Sequence, residues 1–198
     1  MRVLALDCST SVLSVALWDG QQIVAVFEET MLYGQAERLL PIIKNLLTQN
    51  KWTPLDIEAV TVTVGPGSFT GVRVGLATAR ALGLGLNIPV WGVTALEVLS
   101  AEKAEKNVAV IDTKRGDFYS QIFEKGIALE KATIRTKEAV QALNIPVLSV
   151  EGVDMPLWEK PANSLAVQGI QIALKRIENP LPATPFYLRE ADVTCSRQ

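Results

Sequence analysis

Two segments in different halves of the chain repeat one plan, and that plan restricts the fold more than any other feature. Val3-Leu4-Ala5-Leu6 is an apolar run that ends at Asp7-Cys8-Ser9-Thr10. Further apolar runs at 12–17 and 23–27 flank Asp19-Gly20, a strong hairpin signal. Val108-Ala109-Val110-Ile111 ends in the same way at Asp112-Thr113-Lys114-Arg115-Gly116-Asp117, before hairpin-like runs at 118–123 and 127–129. Strand, acid, hydroxyl and hairpin therefore occur twice. The 198 residues suffice for two small lobes, each with a core. The expected fold is a duplicated α/β architecture with its cleft between the two acids. The composition shift Ala101-Glu102-Lys103-Ala104-Glu105-Lys106 places the boundary between a lobe at 1–102 and a reduced lobe with an extended tail at 103–198.

An acid at a strand end followed by hydroxyls can hold Mg²⁺ or a phosphate through backbone N–H groups. The same residues can instead close turns by hydrogen bonding their own backbone. Asp7, Ser9, Thr10 and Asp112 are the candidates for either role.

Between the repeats stands a strand, a turn and a helix. In 60–64 valine and threonine alternate, which puts Val60, Val62 and Val64 on one face and Thr61 and Thr63 on the other. Gly65-Pro66-Gly67 ends the strand, and Ser68 or Thr70 caps a helix. Gly71, Gly75, Ala79 and Gly83 recur every fourth residue, so they form a nearly bare ridge on one helix face. Three glycines cost such a helix about 3 kcal/mol relative to alanine, and close approach of another backbone is the usual compensation. Either the chain's own sheet or a subunit interface can provide it. The loop has no Walker lysine, and its glycines miss the dinucleotide fingerprint by one residue.

Leu39, Leu40, Ile43, Leu46 and Leu47 predict a helix over 35–49, kinked or restarted at Pro41. A strand is expected at 88–93, with Thr94 capping a short helix through Leu99. A helix at 136–143, a short strand at 147–150 and a helix at 164–177 follow. Pro180, Pro182 and Pro185 open a tail whose Phe186 and Tyr187 fit core or intramolecular docking better than an outward surface.

The chain contains no histidine. Histidine-ligated metal sites, Ser-His-Asp triads and Cys-His dyads are thereby excluded, so no such metal site is expected, while carboxylate-held Mg²⁺ stays open. The formal charge of −2 speaks against free-standing nucleic-acid binding. Cys8 and Cys195 suit a reduced, cytoplasmic setting. No apolar run approaches the length of a membrane helix, and no signal peptide is expected.

The duplicated plan resembles the actin-like (ASKHA, RNase H-like) superfamily that includes sugar kinases. Leu6-Asp7-Cys8-Ser9-Thr10, the run from Gly65 to Gly75, Asp112 to Tyr119, and the tail Tyr187-Leu188-Arg189-Glu190-Ala191-Asp192-Val193-Thr194 resemble the bacterial TsaB family, also called YeaZ. The resemblance implies a non-catalytic scaffold subunit for N6-threonylcarbamoyladenosine formation at position 37 of tRNA. It would bind TsaD directly, meet TsaE in the complex, touch tRNA only indirectly, and form a homodimer when TsaD is absent. It implies a contact surface on the two first-lobe helices, formed by Leu39, Ile43, Leu46 and Leu47 with Gly71, Val72, Gly75, Ala79 and Gly83. TsaD carries a metal-binding His-x-x-x-His on the first of these helices. Gln35 aligns with its second histidine, and Tyr33 and Glu37 offer no substitute. Asp7, Ser9, Thr10 and Asp112 become a vestigial nucleotide site, with ATP or ADP and Mg²⁺ bound weakly or at the TsaD interface. The alternatives are a small ATP-dependent kinase or ATPase of the same superfamily and, lacking any histidine base, a glycoprotease-like peptidase.

Overall fold

The computed structural model describes residues 1–31 and 33–189. The repeated plan produces two sheets. In the first, β1 (Val3–Asp7) pairs antiparallel with β2 (Val12–Trp18), and β2 pairs antiparallel with β3 (Ile23–Thr30). The Asp19-Gly20 turn is closed by Asp19 Oδ1, which accepts from the backbone N–H groups of Gln21 and Gln22 at 2.8 and 2.9 Å. After α1 (Gln35–Gln49) the chain returns through β4 (Ala59–Thr63), parallel to β1, then α2 (Phe69–Leu86) and β5 (Val90–Val93), parallel to β4.

Beyond α3 (Ala95–Ser100) the order begins again. β6 (Asn107–Asp112) pairs antiparallel with β7 (Asp117–Glu124), which also pairs with β8 (Ile127–Ala128) and β9 (Thr133–Thr136). After α4 (Lys137–Gln141), β10 (Val147–Leu148) lies parallel to β6 and β11 (Trp158–Glu159) parallel to β10. Each sheet thus has its first strand between an antiparallel hairpin and parallel crossover strands, the duplicated RNase H-like order of the actin-like fold.

The last elements, α5 (Leu165–Lys175) and β12 (Leu181–Pro182), depart from the expected division at 102/103. β12 pairs with β5 of the first sheet. α5 covers the same sheet, where Ala166 N–H donates to Ser14 Oγ at 3.1 Å. Leu165, Ile170 and Ala173 join Val3, Ala5 and Ala16 of the first sheet and Ala109, Ile111 and Phe123 of the second in one buried cluster. Burial of this apolar surface, about 25 cal/mol per Å² removed from water, draws the chain end back across the boundary.

The opposite face of the first sheet carries α1 and α2. Val60, Val62 and Val64 face these helices, in a cluster with Leu39, Ile43, Val72 and Leu76, as their alternation requires. α1 runs unbroken through Pro41, with no restart. Pro41 is exposed, so the carbonyl it leaves unpaired stays near solvent, while five buried aliphatic side chains hold the helix down.

Candidate functional site

The bare ridge of α2 lies inside the chain. Ser68 Oγ caps the helix by accepting from Gly71 N–H at 3.2 Å. A Cβ on Gly71 would stand 1.9 Å from the Cys8 carbonyl oxygen, and one on Gly83 would stand 2.3 Å from Val90 Cγ2. At Gly75 a Cβ would meet Val62 Cγ2 at 3.5 Å and Cys8 at 3.7 Å, which is ordinary contact. Leu39, Ile43, Leu46, Leu47, Gly71, Val72, Gly75, Ala79 and Gly83 are all buried within the chain. These nine residues, expected to form the partner surface, face inward instead: β1, β4 and β5 lie against those of α2, and β2, β3 and α2 against those of α1. Recurrence at every fourth residue shows that positions share a face, but not what covers that face.

The other face of α2 offers a surface that the glycines obscured. Thr70, Val74, Ala77, Ala81 and Leu84 follow a 4-3-4-3 spacing, the spacing of a seam between packed helices. All but the half-buried Val74 are exposed, and Leu84 is 86 % exposed. α1 lies alongside, with Gln35 Oε1 2.9 Å from the place of a Gly71 Cβ. It adds exposed Ala36 and Leu40, next to Tyr33, which is 89 % exposed. Arg38 is paired with Glu29 at 2.8 Å, and the Arg73 guanidinium lies 3.5 Å over the Phe69 ring. The strip thus exposes apolar side chains beside cations that are already engaged within the chain.

Between the sheets a cleft of about 730 Å³ receives the repeated turns, Ser9, Thr10 and Ser11 on one wall and Asp112, Thr113 and Lys114 on the other. Asp7 lies beneath it, fully buried. Its Oδ1 accepts from Ser9 N–H at 3.2 Å, from Ser9 Oγ at 2.6 Å and from Thr63 Oγ1, while Oδ2 has no partner. Burial pushes the Asp7 carboxyl above the usual carboxylate range, against the lowering effect of those hydrogen bonds. Ser68 N–H donates to the Ser9 carbonyl at 2.7 Å, and a Cβ on Gly67 would stand 2.0 Å from the same oxygen. The start of α2 therefore seals the first turn.

Thr10 Oγ1 accepts from Val12 N–H at 3.1 Å, and the Thr10 carbonyl accepts from Gln35 Nε2 at 3.0 Å. Asp112 Oδ1 accepts from Lys114 N–H at 2.6 Å. Of the four nominated residues, Ser9, Thr10 and Asp112 meet at the cleft and Asp7 does not reach it. A carboxyl sealed beneath the turn, out of reach of the cleft, does not fit the metal-bearing acid of a Mg²⁺–nucleotide site. Among the described residues no three acids or cysteines gather into a metal-binding group.

The tail closes one end of the cleft. Phe186 N–H donates to the Val64 carbonyl at 2.8 Å, and Arg189 pairs with Asp117 at 2.6 Å, so the tail touches both halves. Tyr187 stacks near Phe69, with ring centroids 5.4 Å apart, and accepts from Arg73 Nε at 3.2 Å. Residues 190–194 of the tail motif lie outside the described residues. The Lys114–Glu151 pair and the Phe69–Arg73–Tyr187 cluster had no signal in the sequence, because each joins residues distant along the chain.

Two RNase H-like sheets with a sealed first turn define an actin-like α/β protein. A family model described as TsaD, tRNA N6-adenosine threonylcarbamoyltransferase, matches residues 34–193, and the chain belongs to that family. Within it the resemblance is to TsaB/YeaZ. The TsaB protein of Escherichia coli is 38 % identical over 124 residues, covering 60 % of this chain and 53 % of that protein. An uncharacterised protein of Mycobacterium tuberculosis strain H37Rv is 31 % identical over 199 residues, covering 96 % and 92 %. The match thus spans about half the length of the E. coli relative and nearly all of the mycobacterial one. The solved structure of YeaZ from Pseudomonas aeruginosa superposes with a TM-score of 0.74 at 25 % identity, over 94 % of this chain and 99 % of that one. No helix among the described residues is long and apolar enough to cross a membrane.

Proposed function

We propose that the chain is a non-catalytic subunit for the formation of N6-threonylcarbamoyladenosine in tRNA, and that it docks on TsaD through the outer faces of α1 and α2. The observation that carries this reading is the 4-3-4-3 strip from Thr70 to Leu84, exposed beside Leu40 and Tyr33. A strip of this spacing suits a second pair of helices packed in a four-helix arrangement. A second copy of the chain offers an equivalent pair when TsaD is absent, which gives a homodimer through the same face.

The absence of histidine from the sequence supports a non-catalytic role, since neither the His-x-x-x-His metal site of TsaD nor a histidine base is present. Names of the relatives supply the pathway: the E. coli and Bacillus subtilis proteins are called tRNA threonylcarbamoyladenosine biosynthesis proteins. In this reading TsaE and tRNA join the assembly through TsaD, in the cytoplasm. Reconstitution of tRNA modification from TsaD and TsaE, with and without this chain, tests it. Modification is expected only when the chain is present, and full modification without it would contradict the proposal.

A further inference from the structure

The side of the first sheet away from α1 and α2 carries a second concave surface, built from parts of both lobes. α5 lies against that sheet, α3 packs on α5, and a Cβ on Gly126 at the β7–β8 hairpin tip would stand 3.8 Å from the Ala101 carbonyl oxygen at the end of α3. Lys125 and Gly126 turn the tip with left-handed backbone, φ 52° and 73°, and Lys125 N–H donates to the Ala104 carbonyl at 3.0 Å. The tip is therefore held in place. Between it and the last turn of α5 lies a groove of about 270 Å³, to which each wall gives one isoleucine and one lysine: Ile127 and Lys125 from the hairpin, Ile172 and Lys175 from the helix. Arg176 also lines it, with its guanidinium paired to Glu97 at 3.1 and 3.3 Å. Glu97 is the one carboxylate among the lining residues, and it also accepts from Thr94 N–H and Oγ1 at 3.0 and 2.9 Å. Its charge is matched by Arg176. Neither the Lys125 nor the Lys175 ammonium has an acidic partner among the described residues, so the groove holds two positive charges in excess on a chain of formal charge −2. A lysine in a last helical turn favours the helix dipole, which accounts for Lys175 alone. It does not account for a second ammonium brought to the same groove by a hairpin of the other lobe.

We propose that this groove docks a segment of a partner protein that carries a carboxylate side chain next to an aliphatic one. The carboxylate sits between Lys125 and Lys175, and the aliphatic side chain packs on Ile127 and Ile172. Ile127 is 68 % exposed and offers the apolar surface that such a contact removes from water. At about 270 Å³ the groove is smaller than the roughly 300–1,000 Å³ of sites that enclose a small molecule, and it suits one or two side chains. RNA fits less well, because no aromatic ring among the lining residues gives a base a surface to stack on. α5 and the α1–α2 pair lie on opposite faces of the first sheet, so the inference does not rest on the docking proposed for α1 and α2.

The test is a titration of the full chain with a blocked peptide of alternating glutamate and leucine at constant ionic strength, following the Gly126 and Ile127 amide resonances. A blocked peptide of alternating lysine and leucine and an oligouridylate are titrated beside it. The glutamate peptide is expected to shift both resonances to saturation, and the lysine peptide to leave them in place. Lys125→Glu with Lys175→Glu should weaken binding at least tenfold, and Lys175→Gln, at an exposed helix position, serves if that double variant does not fold. Ile127→Ser, read at Gly126, should weaken binding severalfold. Resonances that do not move with the glutamate peptide, an affinity that survives loss of the lysines, or an Ile127→Ser chain that binds as tightly as the unaltered one would overturn the proposal. Tighter binding of the oligouridylate than of the glutamate peptide would overturn the assignment to a protein segment.

Discussion

The two faces of α2 look alike in composition and differ in their work. The inner face, Gly71, Gly75, Ala79 and Gly83, is small because β1 and β5 come too close for side chains at two of its positions. The outer face, Thr70, Val74, Ala77, Ala81 and Leu84, is also mostly small, yet no described residue buries it at Thr70, Ala77, Ala81 or Leu84. Small residues on a helix therefore mark close packing on one side and an open seam on the other. Only the position of the strands tells them apart. Substitutions on the inner face should act on stability and those on the outer face on association.

The largest expected effect is on the inner face. Gly71→Ala places a methyl against the Cys8 carbonyl, which belongs to a strand end and cannot retreat, so the denaturant midpoint should fall by the equivalent of about 1–3 kcal/mol. Retained stability would mean that α2 sits further from β1 than the close approach indicates. Next come Leu40→Glu and Leu84→Glu together. These should leave stability within about 0.5 kcal/mol, as exposed positions do. Loss of two apolar anchors should weaken TsaD binding by at least tenfold, about 1.4 kcal/mol, in an equilibrium binding measurement.

Gly75→Ala sharpens the comparison within the ridge itself. Its methyl meets Val62 and Cys8 at ordinary distances, so the gain in helix propensity should prevail and raise stability by about 0.5–1 kcal/mol. Thermal unfolding of Gly71→Ala beside Gly75→Ala should show opposite signs from one kind of substitution on one helix face.

A smaller effect concerns the sealed turn below α2. Burial raises the folded-state pKa of Asp7, so the folded chain keeps that proton to higher pH than the unfolded chain. Stability should therefore decline as pH rises from the ordinary carboxylate range up to the raised value. Asp7→Asn keeps an oxygen for Ser9 and Thr63 and puts an NH₂ where Oδ2 has no partner, so it should remove that decline. Parallel unfolding curves at pH 4 and pH 7 check this. An ionised Asp7 serving a metal would give the opposite ordering.

Much of the fold was legible in local pattern. The hairpin at Asp19-Gly20, the face assignment of Val60, Val62 and Val64, the cap at Thr94, the narrowing of the α2 cap to Ser68 or Thr70, and the span of α1 follow from spacing and capping chemistry within a few residues. The return of α5 to the first sheet was not legible, because its apolar stripe fits either lobe and the residues that receive it, among them Val3, Ala5 and Ala16, lie far away in sequence. The strands β11 and β12 have two residues each, too short to carry a period. At the cleft, Ser9, Thr10 and Asp112 were found from the repeated plan. Glu151 was missed because its partners, Ser11 and Lys114, come from both repeats.

The most direct test of the division between faces is the affinity of the Leu40→Glu/Leu84→Glu chain for TsaD, measured beside its melting temperature. The account predicts an unchanged melting temperature and at least a tenfold loss of TsaD affinity. Unchanged affinity with intact folding would contradict it and move the docking surface away from α1 and α2.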